Sequence, residues 1–368
     1  MKFPIIRPNI PPVKAWAGYL EEAYDSRRFS NYGPLSRRLE SWLAMEWGQD
    51  CTTCVLTSSG TAAVAAPLIA SGISGRVLLP AFTFPATYSA IKMAGAKPVL
   101  IDVCPADWRV SADALDDAFA ATGAQAAIVV SPFGLRSDFS THARIASRHG
   151  AILIIDNAAG LGVTRVPLES SDNVFEAYSL HATKPFGIGE GGAIFANHSS
   201  ETALRRALNF GLPASVAEES PAWGINGKIS EFHAAVGLAV ASVFIDHLRA
   251  RRAMAALYAV ALADFPEVRC CIELDDSAWQ VFPLLLPTRE AADSFEEHTR
   301  HHGVEIRRYY SPSLSSYASI ERMAKCHVSE DLSQRMCCLP VYSNASKAEV
   351  AEIVAHIASS LRRALRRI

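Results

Sequence analysis

Three short segments of this chain carry residue types whose chemistry fits together. Ile152-Leu-Ile-Ile-Asp156 is an apolar run that ends in an acid. Ser179-Leu-His-Ala-Thr-Lys184 carries a lysine just past another apolar run, and Gly187, Gly189, Gly191 and Gly192 follow it. A lysine in such a desolvated setting loses proton affinity and becomes a usable amine nucleophile. Thr57-Ser-Ser-Gly60-Thr61-Ala-Ala passes from a strand pattern to a helix pattern through small residues. Backbone N–H groups and hydroxyls at a helix N-terminus suit a phosphate. Taken singly, each segment also has a plainer use: a strand-end cap, a solvated loop lysine, a simple Ser/Gly turn.

The elements that must position these residues are legible as short apolar runs between helical patterns. Residues 54–57, 77–80, 98–103, 127–130, 151–156, 175–179 and 193–196 read as buried strands rich in Val, Ile and Leu. Residues 62–70, 87–93, 112–120 and 139–148 read as helices, the last with Asp138 or Ser140 as its cap. Such alternation predicts an α/β fold whose mostly parallel, seven-stranded sheet is covered by helices on both faces. Ligands of such sheets bind at the carboxyl ends of the strands. The character changes near residue 245. A helix is expected over 247–262, a strand over 281–286, a helix over 290–301, a strand over 304–306 and a terminal helix over Lys347–Leu365, capped by Ser346. This predicts a large domain over 1–245 and a smaller C-terminal α/β domain over 246–368.

A chain of 368 residues exceeds what a single core usually supports. Lys+Arg 35 against Asp+Glu 37 leaves a net charge of -2, so no basic excess points to nucleic acid or an anionic membrane. The longest apolar stretch, 232–244, is too short to span a bilayer, and the Pro-rich N-terminus has no leader-like apolar run. A soluble, cytoplasmic protein is expected. Eight cysteines form no disulfide framework, and Cys51-x-x-Cys54 lacks a second zinc half-site. The adjacent pairs Cys270-Cys271 and Cys337-Cys338 read as structural thiols. His301-His302 before Gly303 reads as a helix end, and Arg362, Arg363, Arg366 and Arg367 as a solvated helix C-terminus.

A phosphate cradle, an acid and an amine nucleophile at strand ends on one side of a sheet are the parts that pyridoxal phosphate requires. The lysine takes its aldehyde, the carboxylate keeps its ring nitrogen protonated, and the cradle holds its phosphate. No metal site is expected.

On these residues the chain resembles the DegT/DnrJ/EryC1/StrS family of sugar aminotransferases, which have the fold type I of pyridoxal-phosphate enzymes. The match runs nearly end to end. It takes in Asn31-Tyr-Gly-Pro34 and the helix around Glu40, Ser59-Gly-Thr-Ala-Ala, Pro80-Ala-Phe-Thr-Phe-Pro-Ala-Thr87 and Asp156. It continues through the Lys184 segment to Gly192, Gly224-Ile-Asn-Gly-Lys-Ile-Ser-Glu231 and Leu339-Pro-Val-Tyr342. The resemblance implies that Lys184 is the Schiff-base lysine and that Asp156 pairs with the pyridine nitrogen. It implies that Gly60, Thr61 and Ser179 bind the phosphate and that Phe84 stacks on the ring. It implies that Asn226 crosses to a neighbouring subunit's phosphate, hence a homodimer. It also implies glutamate as amino donor, pyridoxamine phosphate during turnover, and a nucleotide-linked keto-deoxysugar as acceptor.

Two departures from the family pattern stand out. Ala159 occupies the position where the resemblance implies an amide or imidazole approaching the cofactor's phenolic oxygen, so the expectation is that Asn157 or a water substitutes, or that the aldimine pKa differs. Asn226-Gly-Lys228 replaces the usual Asn-Tyr-Arg. Among Arg307, Arg308, Tyr309 and Tyr310, one is expected at the substrate entrance, and Glu190 is expected to pair locally. These departures leave open a lyase or dehydratase on the same fold, or a non-sugar aminotransferase. A non-enzymatic, cofactor- or sugar-binding regulator fits less well, because Lys184 and Asp156 are both intact.

Overall fold

The structure is a computed structural model that describes residues 1–48, 52–163, 173–213, 221–270 and 276–366. Cys51, Cys271 and Arg367 lie outside the described residues. The strands are β1 (Thr52–Thr57), β2 (Arg76–Pro80), β3 (Lys97–Ile101), β4 (Ala126–Val130), β5 (Ile152–Asp156), β6 (Val174–Ser179) and β7 (Gly192–Asn197). They are followed by β8 (Arg269–Cys270), β9 (Val281–Leu285), β10 (Glu321–Arg322) and β11 (Met336–Pro340). The large sheet has the order β1-β7-β6-β5-β4-β2-β3-β10. β7 runs antiparallel to both its neighbours, and every other adjacent pair is parallel. All seven expected strands are present, and the two-residue β10 adds an eighth at the edge. β8, β9 and β11 form a separate antiparallel sheet.

The period-2 alternation of the strands sorts their side chains between two cores. Ile152 and Ile154 join Val77, Leu79 and Ile128 on one face, beneath the helix Gly60–Ala70. Leu153 and Ile155 join Leu78 and Val129 on the other, beneath the helices Ala112–Thr122 and Ser140–Arg148. Each such buried aliphatic side chain contributes roughly 1.5–3 kcal/mol relative to exposure. The second core continues into the small sheet through Val281, Phe282 and Leu339. The helix Gly60–Ala70 is buried from Ala62 to Ile69, and its alanines let it lie close on the sheet.

One expectation fails locally. Residues 304–306 form no strand. Phe3 of the N-terminal segment takes their hydrogen bonds, donating to Gly303 and accepting from Glu305, so only an isolated bridge forms. The apolar stretch 232–244 is divided between the helices Glu231–Ala241 and Phe244–Leu262, which meet at 64°. Its apolarity serves the core, where Ala234, Leu238 and Val240 are buried. Among the described residues no single helix is long and apolar enough to cross a membrane. The cap of the helix Ser140–Arg148 comes from Asp138, whose Oδ1 accepts from the Ser140 N–H at 2.8 Å. Ser346 and Glu349 form a full capping box on Lys347–Leu365.

Two of the signature motifs prove architectural. The helix Pro34–Trp47 has glycine at its N-cap and no side-chain cap of its own. Its orphan N–H groups are satisfied by Glu231, a fully buried carboxylate that starts a distant helix. Glu231 accepts from the Leu35 N–H at 2.6 Å and from the Ser36 N–H at 3.2 Å. A Cβ at Gly33 would lie 2.6 Å from the Glu231 carboxyl carbon, so a side chain there would displace the carboxyl from these N–H groups. On the same helix, Glu40 holds Arg205 through two hydrogen bonds, at 3.1 and 2.8 Å, and accepts from the Leu56 N–H of β1. Glu231→Ala should therefore lower the unfolding free energy by about 1–3 kcal/mol, because two buried donors lose their acceptor. Urea denaturation checks this, and a loss under roughly 0.5 kcal/mol, the scale of surface substitutions, would contradict it.

Candidate active site

The carboxyl ends of β1, β2, β4, β5 and β6 surround a cavity of ≈ 390 Å³. Gly60, Thr61, Phe84, Asp156, Ser179 and Lys184 all line it, so six of the seven expected site residues come together. Asn226 does not. It is exposed, pairs with Asn209 in an isolated bridge and accepts from Lys228 Nζ at 2.9 Å.

Asp156 sits at the last position of β5, where the parallel ladder ends and a side chain can face the cavity. Thr87 Oγ1 donates to its Oδ2 at 2.8 Å, and the Ala158 N–H reaches Oδ1 at 3.3 Å. Burial pushes the Asp156 carboxyl up, and the Thr87 hydroxyl, Lys184 and the Ala158 N–H pull against it. Lys184 lies in the loop after β6. Burial pushes its amine down from 10.5 to about 8, with Asp156 opposing. The amine donates to Gln280 Oε1 at 3.0 Å and not to Asp156. The cavity thus holds an acid and an amine, both desolvated and neither neutralising the other directly.

The phosphate-type cradle is built by close packing. Ser59 caps the helix Gly60–Ala70, its Oγ accepting from the Ala62 N–H. The Gly60 and Thr61 N–H groups belong to the first turn, which offers no intrahelical acceptor. A Cβ at Gly60 would meet Ser179 Cβ at 2.7 Å and Oγ at 3.0 Å, so a side chain there would fill the cradle. An anionic group therefore fits against Gly60, Thr61 and the Ser179 hydroxyl. A cationic ring nitrogen fits the otherwise unpaired charge of Asp156, and an aldehyde fits the Lys184 amine. The residues present suit pyridoxal phosphate in all three respects. Phe84, 56% exposed, stands at the rim as the N-cap of the helix Pro85–Met93.

The far wall comes from the C-terminal part of the chain: Gln280, Arg307, Tyr309 and Tyr310. Tyr310 stacks on Phe133, with centroids 5.5 Å apart. Arg308 points elsewhere, pairing with Asp293 and Glu296. Glu190 pairs with His181 at 3.5 Å at the cavity's edge. Asn157 does not cover for Ala159. It turns away from the cavity, and its Nδ2 donates to the Tyr178 hydroxyl at 3.4 Å. Gly227, where the family usually has a large ring, packs closely on Leu208, which would have to move to admit one. A Cβ there would meet Leu208 at 2.3 Å, and its carbonyl accepts from the Ser58 N–H beside the cradle. Cys54, Cys326, Cys337 and Cys338 are buried thiols, and among the described residues no His/Cys/Asp/Glu cluster is arranged to hold a metal.

Sequence reading missed two contacts. Thr87 lay inside a quoted motif, but its bond to Asp156 spans 69 positions of sequence separation. Gln280 was detectable as the polar residue immediately before the apolar strand β9, in Trp279-Gln-Val-Phe.

The family model described as the DegT/DnrJ/EryC1/StrS aminotransferase family matches residues 14–358. A dTDP-4-amino-4,6-dideoxy-D-glucose transaminase from Shigella dysenteriae is 27% identical over 373 residues, covering 97% of this chain and 98% of the relative. A crystal structure of DesI in the presence of its TDP-sugar product is similar with a TM-score of 0.88 at 26% identity, covering 100% of this chain and 96% of that one. A putative PLP-dependent aminotransferase from Bacillus cereus is similar with a TM-score of 0.87 at 25% identity, covering 97% of this chain and 100% of that one.

The lowered proton affinity of Lys184 has a direct readout. Below its pKa the amine is an inert ammonium, and above it the free amine reacts, so reactivity must rise with pH. In the cofactor-free chain, acylation of Lys184 should reach half its plateau near pH 8. Peptide-resolved mass spectrometry across a pH series measures this. A midpoint near 10.5, that of an ordinary lysine, would contradict the burial.

Proposed function

Because the chain belongs to the DegT/DnrJ/EryC1/StrS aminotransferase family, we propose that it is a pyridoxal-phosphate enzyme that moves an amino group from L-glutamate to a nucleotide-linked keto-deoxysugar. The observation that carries this reading is the desolvated Lys184 amine in one cavity with the buried Asp156 carboxylate and the Gly60–Thr61 helix start. When bound, pyridoxal phosphate supplies an aldehyde for amines and a ring that takes up the electron pair left at a deprotonated carbon.

The chain's own residues do the rest. Gly60 and Thr61 bind the phosphate through their N–H groups, and Ser179 through its hydroxyl. Asp156 holds a proton on the ring nitrogen, and Thr87 orients that carboxylate. Phe84, at the rim, would stack on the ring. Lys184 would be the group that moves the proton, accepting it from the donor's Cα as a general base and giving it back as a general acid. Asn226 lies outside its own chain's cavity, which supports its reaching the phosphate of a second copy in a homodimer. The names of the Shigella dysenteriae relative and of DesI support a sugar nucleotide as acceptor.

Incubation with excess glutamate should yield 2-oxoglutarate in single turnover and leave the pyridoxamine form. A screen of keto-sugar nucleotides by mass spectrometry then identifies the acceptor. Lys184→Ala should abolish the half-reaction. Asp156→Asn should retain cofactor but slow the half-reaction on the order of 10²-fold or more, since stabilisation of the developing charge is lost. A rate within a few-fold of the unsubstituted protein would reduce Asp156 to a strand-end cap.

Subunit sharing has a complementation test. Lys184→Ala and Asn226→Ala homodimers should each be impaired. Their mixed dimer has one site with both residues intact, so mixing should restore activity. No recovery in a verified mixed dimer would refute the shared site.

A further inference from the structure

Gln280 has no part in the reading above, yet it touches the residue at its centre. It precedes β9, is only 9% exposed, and accepts from Lys184 Nζ at 3.0 Å. Among the described residues it is the only carboxamide lining the cavity, since Asn157 turns to Tyr178. Its backbone is held at both ends. The Gln280 N–H donates to the Phe133 carbonyl at 2.9 Å, and its carbonyl accepts from Arg251 Nη2 at 2.9 Å. Arg251 is itself buried, and also donates to the Trp279 carbonyl at 2.9 Å and the Ser343 hydroxyl at 3.1 Å. A side chain on so fixed a backbone presents its oxygen at a set position.

We propose that Gln280 is a positioning residue for Lys184: its carboxamide oxygen holds the side-chain amine inside the cavity whenever that amine is not covalently engaged. The proposal rests on the reading of Lys184 as the amine that carries the reaction. A buried amine without an acceptor is costly, so the free state of Lys184 needs a partner. A carboxylate there would favour the ammonium and hold the proton. A neutral oxygen accepts an N–H from the free amine and leaves its lone pair available for a proton. The charged and titratable groups around the amine are differently disposed. Asp156 faces it from β5, and His181 and Glu190 from its own loop. Arg307, Tyr309 and Tyr310 face it from the far wall, with Arg251 and Arg7 behind the loop. Among the described residues Gln280 alone receives a hydrogen bond from Nζ.

The test is competitive labelling of the cofactor-free full chain with acetic anhydride, read at the Lys184 peptide across a pH series. Gln280→Glu sets a carboxylate on the amine and should raise the labelling midpoint by about 1 unit or more, cutting labelling at the original midpoint roughly fivefold. Gln280→Met keeps the length and shape of the side chain without the oxygen. Its holoenzyme should release 2-oxoglutarate from glutamate roughly tenfold more slowly, with the KM for glutamate unchanged, because the amine is misplaced after release. An unchanged Lys184 midpoint in Gln280→Glu, or full-rate turnover in Gln280→Met, would overturn the proposal. A shifted midpoint in a chain that makes no 2-oxoglutarate would support the contact and overturn the glutamate reading instead.

Discussion

Keeping a carboxylate and an amine out of water in one cavity, without letting them neutralise each other, is the constraint on which the rest of this structure depends. Each group alone would move toward its uncharged form. Asp156 is held back from that by the Thr87 hydroxyl and the Ala158 N–H, and Lys184 is given a neutral acceptor in Gln280. These partners come from a helix start, a strand-end turn and the small sheet. Their convergence requires parallel strands that end together, helices on both faces, and a second sheet docked across the opening. The continuous core that runs from Leu153 and Ile155 to Phe282 and Leu339 holds that second sheet in place.

Much of this was legible in the sequence, for physical reasons. β4 and β5 are buried on both faces, so they read as unbroken apolar runs, and the acid that ends β5 had to lie at the carboxyl end of the sheet. The turn at Ser59–Thr61 was legible because small residues between a strand and a helix leave few alternatives. The same local rules brought Lys184 and Ser179 to one cavity with Asp156.

What was not legible depends on partners far away in sequence. Residues 304–306 looked like a strand by composition, but a strand needs a neighbour, and the N-terminal segment offered a single bridge. Asn157 looked able to face a ligand, yet its side chain turned to Tyr178. Thr87 acts through a contact that no local pattern encodes, and Gln280, though it stands out before an apolar strand, shows its partner only in the fold. Gly227 looked like a lost ring, and its backbone packs closely on Leu208, a neighbour far from it in the local pattern.

The fit between Gly33 and Glu231 also bears on how this chain can change over time. With the carboxyl carbon of residue 231 lying 2.6 Å from where a Cβ at 33 would be, the two positions are epistatic. A larger residue at 33 displaces the acid at 231 unless that acid has first been shortened or withdrawn. Shortening that acid first exposes the orphaned start of the helix Pro34–Trp47. Either single step costs hydrogen bonds at the start of that helix, so the two motifs, almost two hundred positions apart, are expected to change together.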